Sequence, residues 1–224
     1  MIKKMITLGL LGAVACFFMG SGTLKMDLPI VRQLPSYQRG CEVASLAMVL
    51  YHAGVNVPLE ELVQNLKYNP QKYQEKNGKI YFGNPHNGFV GNIYTFDEPG
   101  LGVYHQPIFE LMRYYINNQQ GKVALNMTGQ PFANVEGHLA KGYPIWVITN
   151  ATYKKLQDKD FITWQTEDGE IKITKWMHAV VITGMDEKNV YFNDPLEKRS
   201  KAKREDFVAA WEQMGRQAVS YVRV

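Results

Sequence analysis

The chain has 224 residues, of which 46% are apolar, 21% charged and 12% aromatic. That is enough for one domain with a sizeable core, and it excludes collagen-like, coiled-coil and disordered classes. The formal charge of +4 falls to +2 without Lys3 and Lys4, too weak to call for nucleic acid, and two cysteines are too few for a disulfide scaffold.

Lys3 and Lys4 precede the uncharged run Met5–Met19, which reads as the n-region and h-region of an export signal. The run falls short of the roughly 20 apolar residues that span a bilayer. Residues 1–22 are therefore expected to be a signal peptide or N-terminal membrane anchor. Ala13-Val14-Ala15 before Cys16 offers an imperfect lipidation box as the other exit. Residues 23–224 are expected to be a single exported domain, secreted or held at the outer face of the cell membrane, touching lipid only through the N-terminal segment. A monomer is expected. The domain then contains one unpaired thiol, Cys41.

Leu24 to Tyr37 reads as an extended lead-in broken by Pro29 and Pro35. Val43, Leu46, Ala47 and Leu50 then recur at helical spacing, and Gly54 suits the left-handed position past the helix end. Pro58 opens a second helix with Glu60 and Glu61 in its first turn. Residues 67–103 lack periodicity and are expected to be a long loop. Its Tyr73, Tyr81, Phe82, Phe89, Tyr94 and Phe96 serve either as a groove lining or as cover for the core.

A third helix is expected over Pro107–Asn118, a strand over Val123–Met127, and a fourth helix from Pro131 to Lys141. Strands then dominate. Ile145–Thr149 is a continuous apolar run, and Phe161–Gln165 and Ile171–Lys175 flank Asp168-Gly169, a hairpin signal. His178–Thr183 and Val190–Asp194 form another pair, and Val219–Val224 reads as an edge strand. Helices first and an antiparallel sheet second make the class α+β. The basic run Lys198–Arg204 is expected to be a solvated connector.

Gly40-Cys41-Glu42 lies where the first apolar stripe begins. A helix N-terminus presents unsatisfied N–H groups and a positive dipole end, both favouring the nucleophilic thiolate. A buried structural cysteine is the alternative on position alone. The base candidate is His178, at the start of an apolar strand. If His178–Thr183 and Val190–Asp194 pair around a five-residue loop Gly184–Lys188 centred on Asp186, His178 stands opposite Asp194. Asn193 then points to the other face. That register gives a Cys41–His178–Asp194 triad of nucleophile, base and orienting carboxylate.

The stretch Leu34–Leu50, with Tyr37-Gln38-Arg39-Gly40-Cys41-Glu42 at its centre, precedes His178-Ala179-Val180-Val181 and Asn193-Asp194-Pro195. Together they resemble the peptidases that process double-glycine bacteriocin leaders, and more closely their stand-alone bacterial relatives in the papain-like superfamily. Asn84–Gly91 and Gly142–Val147 are further stretches of that resemblance, which runs from about Leu28 to about Trp211. It implies a papain-like fold, a helical part bearing the nucleophile packed on an antiparallel sheet bearing His and Asp. It also implies Cys41, His178 and Asp194 as the triad, with an upstream glutamine amide completing the oxyanion hole. The transporter-linked peptidases carry that glutamine six residues before the cysteine, where Pro35 stands here. Gln33, eight before, is preferred because the Pro35 segment can loop out; Gln38, three before, is the alternative. Glu42 replaces the glycine that commonly follows the cysteine and sets a negative charge against the thiolate. Because an export signal is expected and an attached ATPase segment is not, the double-glycine specificity is not carried over.

Three functions follow. One is a thiol hydrolase cutting peptide or isopeptide bonds outside the cytoplasm. A second is an amidase or acyl transferase on cell-wall peptides, and a third is an inactive binding module. The five histidines at 52, 86, 105, 138 and 178 show no metal-ligand spacing, so no metal is expected. His105 reads as a loop residue and His138 as a helix-surface residue. No phosphate loop or dinucleotide fingerprint appears, and no cofactor or nucleic-acid partner is expected.

Overall fold

A computed structural model describes residues 24–117 and 121–224. The expected export signal and Cys16 lie outside the described residues. Helix α1 (Cys41–His52) begins at the nucleophile candidate and is followed by α2 (Leu59–Asn65), with Pro58 at its N-cap. Gly54 takes φ +77, the left-handed stop that the sequence requires past α1. Helix α3 spans His105–Ile116, α4 Phe132–Leu139 and α5 Arg204–Gln213.

The strands in chain order are β1 (Leu24–Lys25), β2 (Gln74–Lys76), β3 (Lys79–Tyr81), β4 (Val90–Gly91), β5 (Gly100–Gly102), β6 (Lys122–Asn126), β7 (Ile145–Asn150) and β8 (Ile162–Thr166). They continue with β9 (Gly169–Ile173), β10 (Met177–Met185), β11 (Asn189–Asn193), β12 (Lys201–Lys203) and β13 (Ala218–Arg223). The main sheet is antiparallel in the order β12-β11-β10-β7-β13-β6, with β1 added on β10. A smaller sheet runs β2-β3-β8-β9, and β4 pairs with β5. Helix α1 packs across β10 and β7. Its interior is buried through Leu50, and Ser45 Oγ donates to the Ala179 carbonyl at 3.2 Å, docking helix to sheet. This is the α+β, papain-like arrangement.

Several local expectations change. Residues 67–103 are not a plain loop: β2 to β5 lie in that stretch, too short to show a period of two. The β8–β9 turn is Glu167-Asp168, one residue earlier than expected, because Thr166 pairs with Gly169. The C-terminal strand β13 lies between β7 and β6, not at an edge. Part of the basic run pairs with β11 as β12, and Arg204 starts α5. His138 is buried on α4, its Nε2 2.9 Å from Ser220 Oγ, and His105 opens α3.

The β10–β11 register also departs from expectation. The turn is tighter, with Met185 opposite Val190, and a bulge lies between Ile182 and Gly184; beyond it Ile182 faces Phe192 and Val181 faces Asn193. Without the bulge the ladder would bring Asp194 across from Val181, on the face opposite His178. The extra residue returns Asp194 to the face of His178, though two positions along from the direct pairing expected. Val180, Ile182, Val190 and Phe192 accordingly share one apolar cluster, while Ala179 and Val181 face the α1 cluster.

Candidate active site

Cys41 opens α1 because the chain must turn sharply there. Gly40 occupies the N-cap, and a Cβ on it would lie 2.5 Å from Tyr37 Cβ, so only glycine permits the approach. No side chain caps this helix end. The thiol is buried and donates to Glu42 Oε2 at 3.2 Å. Burial pushes its pKa well up, the Glu42 charge pushes further, and the Ala179 backbone N–H pulls the other way. The resting group is therefore a thiol. Desolvation and an adjacent carboxylate outweigh the helix terminus that, from sequence, favours thiolate.

His178 is the second residue of β10, paired with Thr149 of β7. Its Nε2 lies 2.8 Å from Asp194 Oδ1, and both side chains are buried. Asp194, just past β11, accepts two more hydrogen bonds: Leu196 N–H to Oδ1 at 2.8 Å and the Tyr153 hydroxyl to Oδ2 at 2.9 Å. Burial alone would raise this carboxyl. The His178 hydrogen bond and charge, the Leu196 N–H and the Tyr153 hydroxyl outweigh it and hold Asp194 below the usual carboxylate range. The imidazole is thereby fixed through Nε2, leaving Nδ1 for proton transfer.

Cys41 and His178 line one cleft of about 710 Å³, with Gln33, Gln38 and Glu42. The thiol's hydrogen bond goes to Glu42, and none links it to the imidazole. Trp164 and Trp176 add apolar wall, and Asp97, Glu98, Lys175 and Lys198 add charge of both signs. A hollow of about 830 Å³ beside α4 and α5 is larger but is lined by no cysteine or histidine, so chemistry rather than size marks the site. Of the aromatic stretch, Phe89 is core and Tyr73, Phe82 and Phe96 line the cleft, so both expected roles are present.

The Leu34–Ser36 turn stands in solvent and closes on Gln33, whose carbonyl accepts Tyr37 N–H at 2.9 Å. Gln33 is buried, and its Nε2 donates to the Tyr37 and Gln38 carbonyls at 3.2 and 2.9 Å, occupying both amide hydrogens. Its Oε1 has no hydrogen-bond partner. Gln38 accepts Phe96 N–H at 2.9 Å through Oε1, while its Nε2 donates to no described residue. Tyr153 is the partner that sequence reasoning missed. It lies in a turn at φ +57, with no spacing that ties it to Asp194.

The Peptidase_C39 like family matches residues 25–219. The uncharacterized protein YvpB of Bacillus subtilis (strain 168) is 40% identical over 197 residues, 87% of this chain and 74% of that protein. A crystal structure from Bacillus anthracis named as a C39-like peptidase superposes with a TM-score of 0.82 at 41% identity, covering 91% of this chain and 98% of that one.

Proposed function

Because the chain belongs to the C39-like peptidase family, whose fold supports a cysteine peptidase-like hydrolase, we propose that it cleaves peptide or isopeptide bonds outside the cytoplasm with Cys41, His178 and Asp194. Cys41 Sγ attacks the substrate carbonyl carbon, its proton passing to His178 Nδ1. The same imidazolium then protonates the leaving amine, and water hydrolyses the thioester. Asp194 orients the ring and stabilises its charge. The Cys41 backbone N–H and one glutamine amide face the developing oxyanion, a donor worth about 3 kcal/mol. Gln33 serves if it releases a loop carbonyl, and Gln38, whose Nε2 donates to no described residue, is the alternative donor.

The observation that carries this reading is the buried His178–Asp194 pair opening onto the cleft that holds Cys41. The extracellular setting rests on Lys3, Lys4 and the Met5–Met19 run, and N-terminal sequencing of the mature protein tests it. The decisive experiment incubates the protein with a peptide library and with cell-wall stem peptides, read by mass spectrometry. Cleavage that disappears in Cys41→Ala supports the hydrolase, and the preferred pool separates a general peptidase from a cell-wall amidase. Retention of peptide without turnover would replace it with a binding module, a reading favoured by the thiol's bond to Glu42 instead of to the imidazole.

A further inference from the structure

Glu42 is a buried ionisable group that this scheme leaves without a task. Its side chain has no solvent exposure, yet both oxygens are engaged: Oε1 accepts Val103 N–H at 2.8 Å and Oε2 accepts the Cys41 thiol at 3.2 Å. The fold makes room for it. A Cβ on Gly102, at φ +138, would lie 2.0 Å from Glu42 Oε1, so the strand beside the carboxyl tolerates only glycine. The Trp146 indole donates to the Glu42 carbonyl at 2.9 Å, holding the first helical turn in place.

Resting on the hydrolase reading above, we propose that Glu42 is a fourth catalytic group, holding the proton that decides whether Cys41 can become a thiolate. With Glu42 ionised, the thiol donates into a carboxylate, and loss of the thiol proton would leave two anions in contact. With Glu42 protonated by solvent, the bond reverses and the carboxyl O–H donates to sulfur. The S–H proton then passes to His178 Nδ1: one S–H bond breaks, one N–H bond forms, and the S–H electron pair stays on sulfur. The cleft then holds thiolate, imidazolium and a neutral carboxyl.

The surroundings place this exchange near neutrality. Burial pushes Glu42 up to about 7, against the Val103 and Glu42 backbone N–H groups, the thiol and the Arg39 charge. Arg39 makes no ion pair with it; its guanidinium bonds to the carbonyls of Asn92, Thr95 and Glu98. The Tyr68 phenol feels the Glu42 charge, and from the sheet Asp194 acts on the thiol while His178 shares its cleft. The Gly102–Val103 segment presents a backbone N–H and no ionisable side chain.

The test follows iodoacetamide labelling of the Cys41 peptide in the full chain by mass spectrometry, from about pH 5.5 to about pH 9.5. In the wild type the rate should fall about tenfold from about pH 6 to about pH 8, one unit of thiolate loss, before rising again as the free thiol ionises. Glu42→Gln should abolish the fall, and His178→Ala should remove the fast acid arm. Infrared difference spectra of the wild type across the same range should show a protonated carboxyl band vanishing near neutrality, a readout that needs no variant. A rate that climbs steadily with pH yet still depends on His178 overturns the role of Glu42 and leaves the hydrolase standing. Labelling indifferent to His178 overturns both.

Discussion

Two buried carboxyls lie beside the candidate pair, Glu42 at Cys41 and Asp194 at His178, and their pKa values shift in opposite directions. Asp194 sits among an imidazole, a backbone N–H and a phenol, which hold it ionised despite its burial. Glu42, with no solvent exposure, has two backbone N–H groups, from Val103 and its own residue, and one weak thiol donor, with the Arg39 charge making no ion pair, and burial wins. Burial raises both carboxyls; the strength of the donors aimed at each, above all the imidazole at Asp194, decides the direction of the net shift.

The hardest way to break this contrast is to remove the groups it serves. Cys41→Ala or His178→Ala should lower kcat by on the order of 10³-fold or more, measured on whichever peptide the library yields, with circular dichroism checking the fold. Asp194→Asn keeps the shape but removes the charge and allows the ring to turn. It should cost about 10²–10⁴-fold in kcat with little change in KM, and an equal rise in KM would argue for substrate contact instead.

The stability counterpart has opposite signs at the two sites. A carboxyl raised in the fold contributes stability that is complete below its unfolded value and is lost as pH climbs through about 7, so Glu42 penalises the ionised protein. Glu42→Gln should thus raise stability at about pH 8 by on the order of 1–3 kcal/mol, read from urea midpoints, and change little near about pH 4.5. Asp194 behaves in reverse: its contribution is present above the unfolded value and vanishes as pH falls through its depressed folded one. The smallest effect is expected for Tyr153→Phe. Losing one buried hydrogen bond to Asp194 should cost about 1 kcal/mol and move the acid limb of unfolding upward. An unchanged acid limb would show that His178 and the Leu196 N–H suffice.

Much of the frame was legible along the chain. The stripe Val43, Leu46, Ala47, Leu50 and the glycine at 54 mark α1 and its end, since helical periodicity and left-handed termination are local. The apolar runs at 145–149 and 178–183 are β7 and β10, paired with each other in the centre of the sheet. Short strands β2 to β5 were invisible because two or three residues cannot display a period. Placing β13 between β7 and β6, and pairing Lys201–Lys203 with β11, required distant partners that no local window contains.

Residue types and order along the chain therefore determined the papain-like class, where the helix bearing Cys41 starts, and that the segments carrying His178 and Asp194 lie side by side in the sheet. Only the folded chain decided that a bulge at Ile182–Gly184 carries Asp194 onto the histidine's face. It alone decided that Tyr153 reaches that carboxylate and that Glu42 is sealed against the sulfur. Those outcomes depend on strand registry and solvent exclusion, which arise when remote segments pack and have no counterpart in a linear pattern.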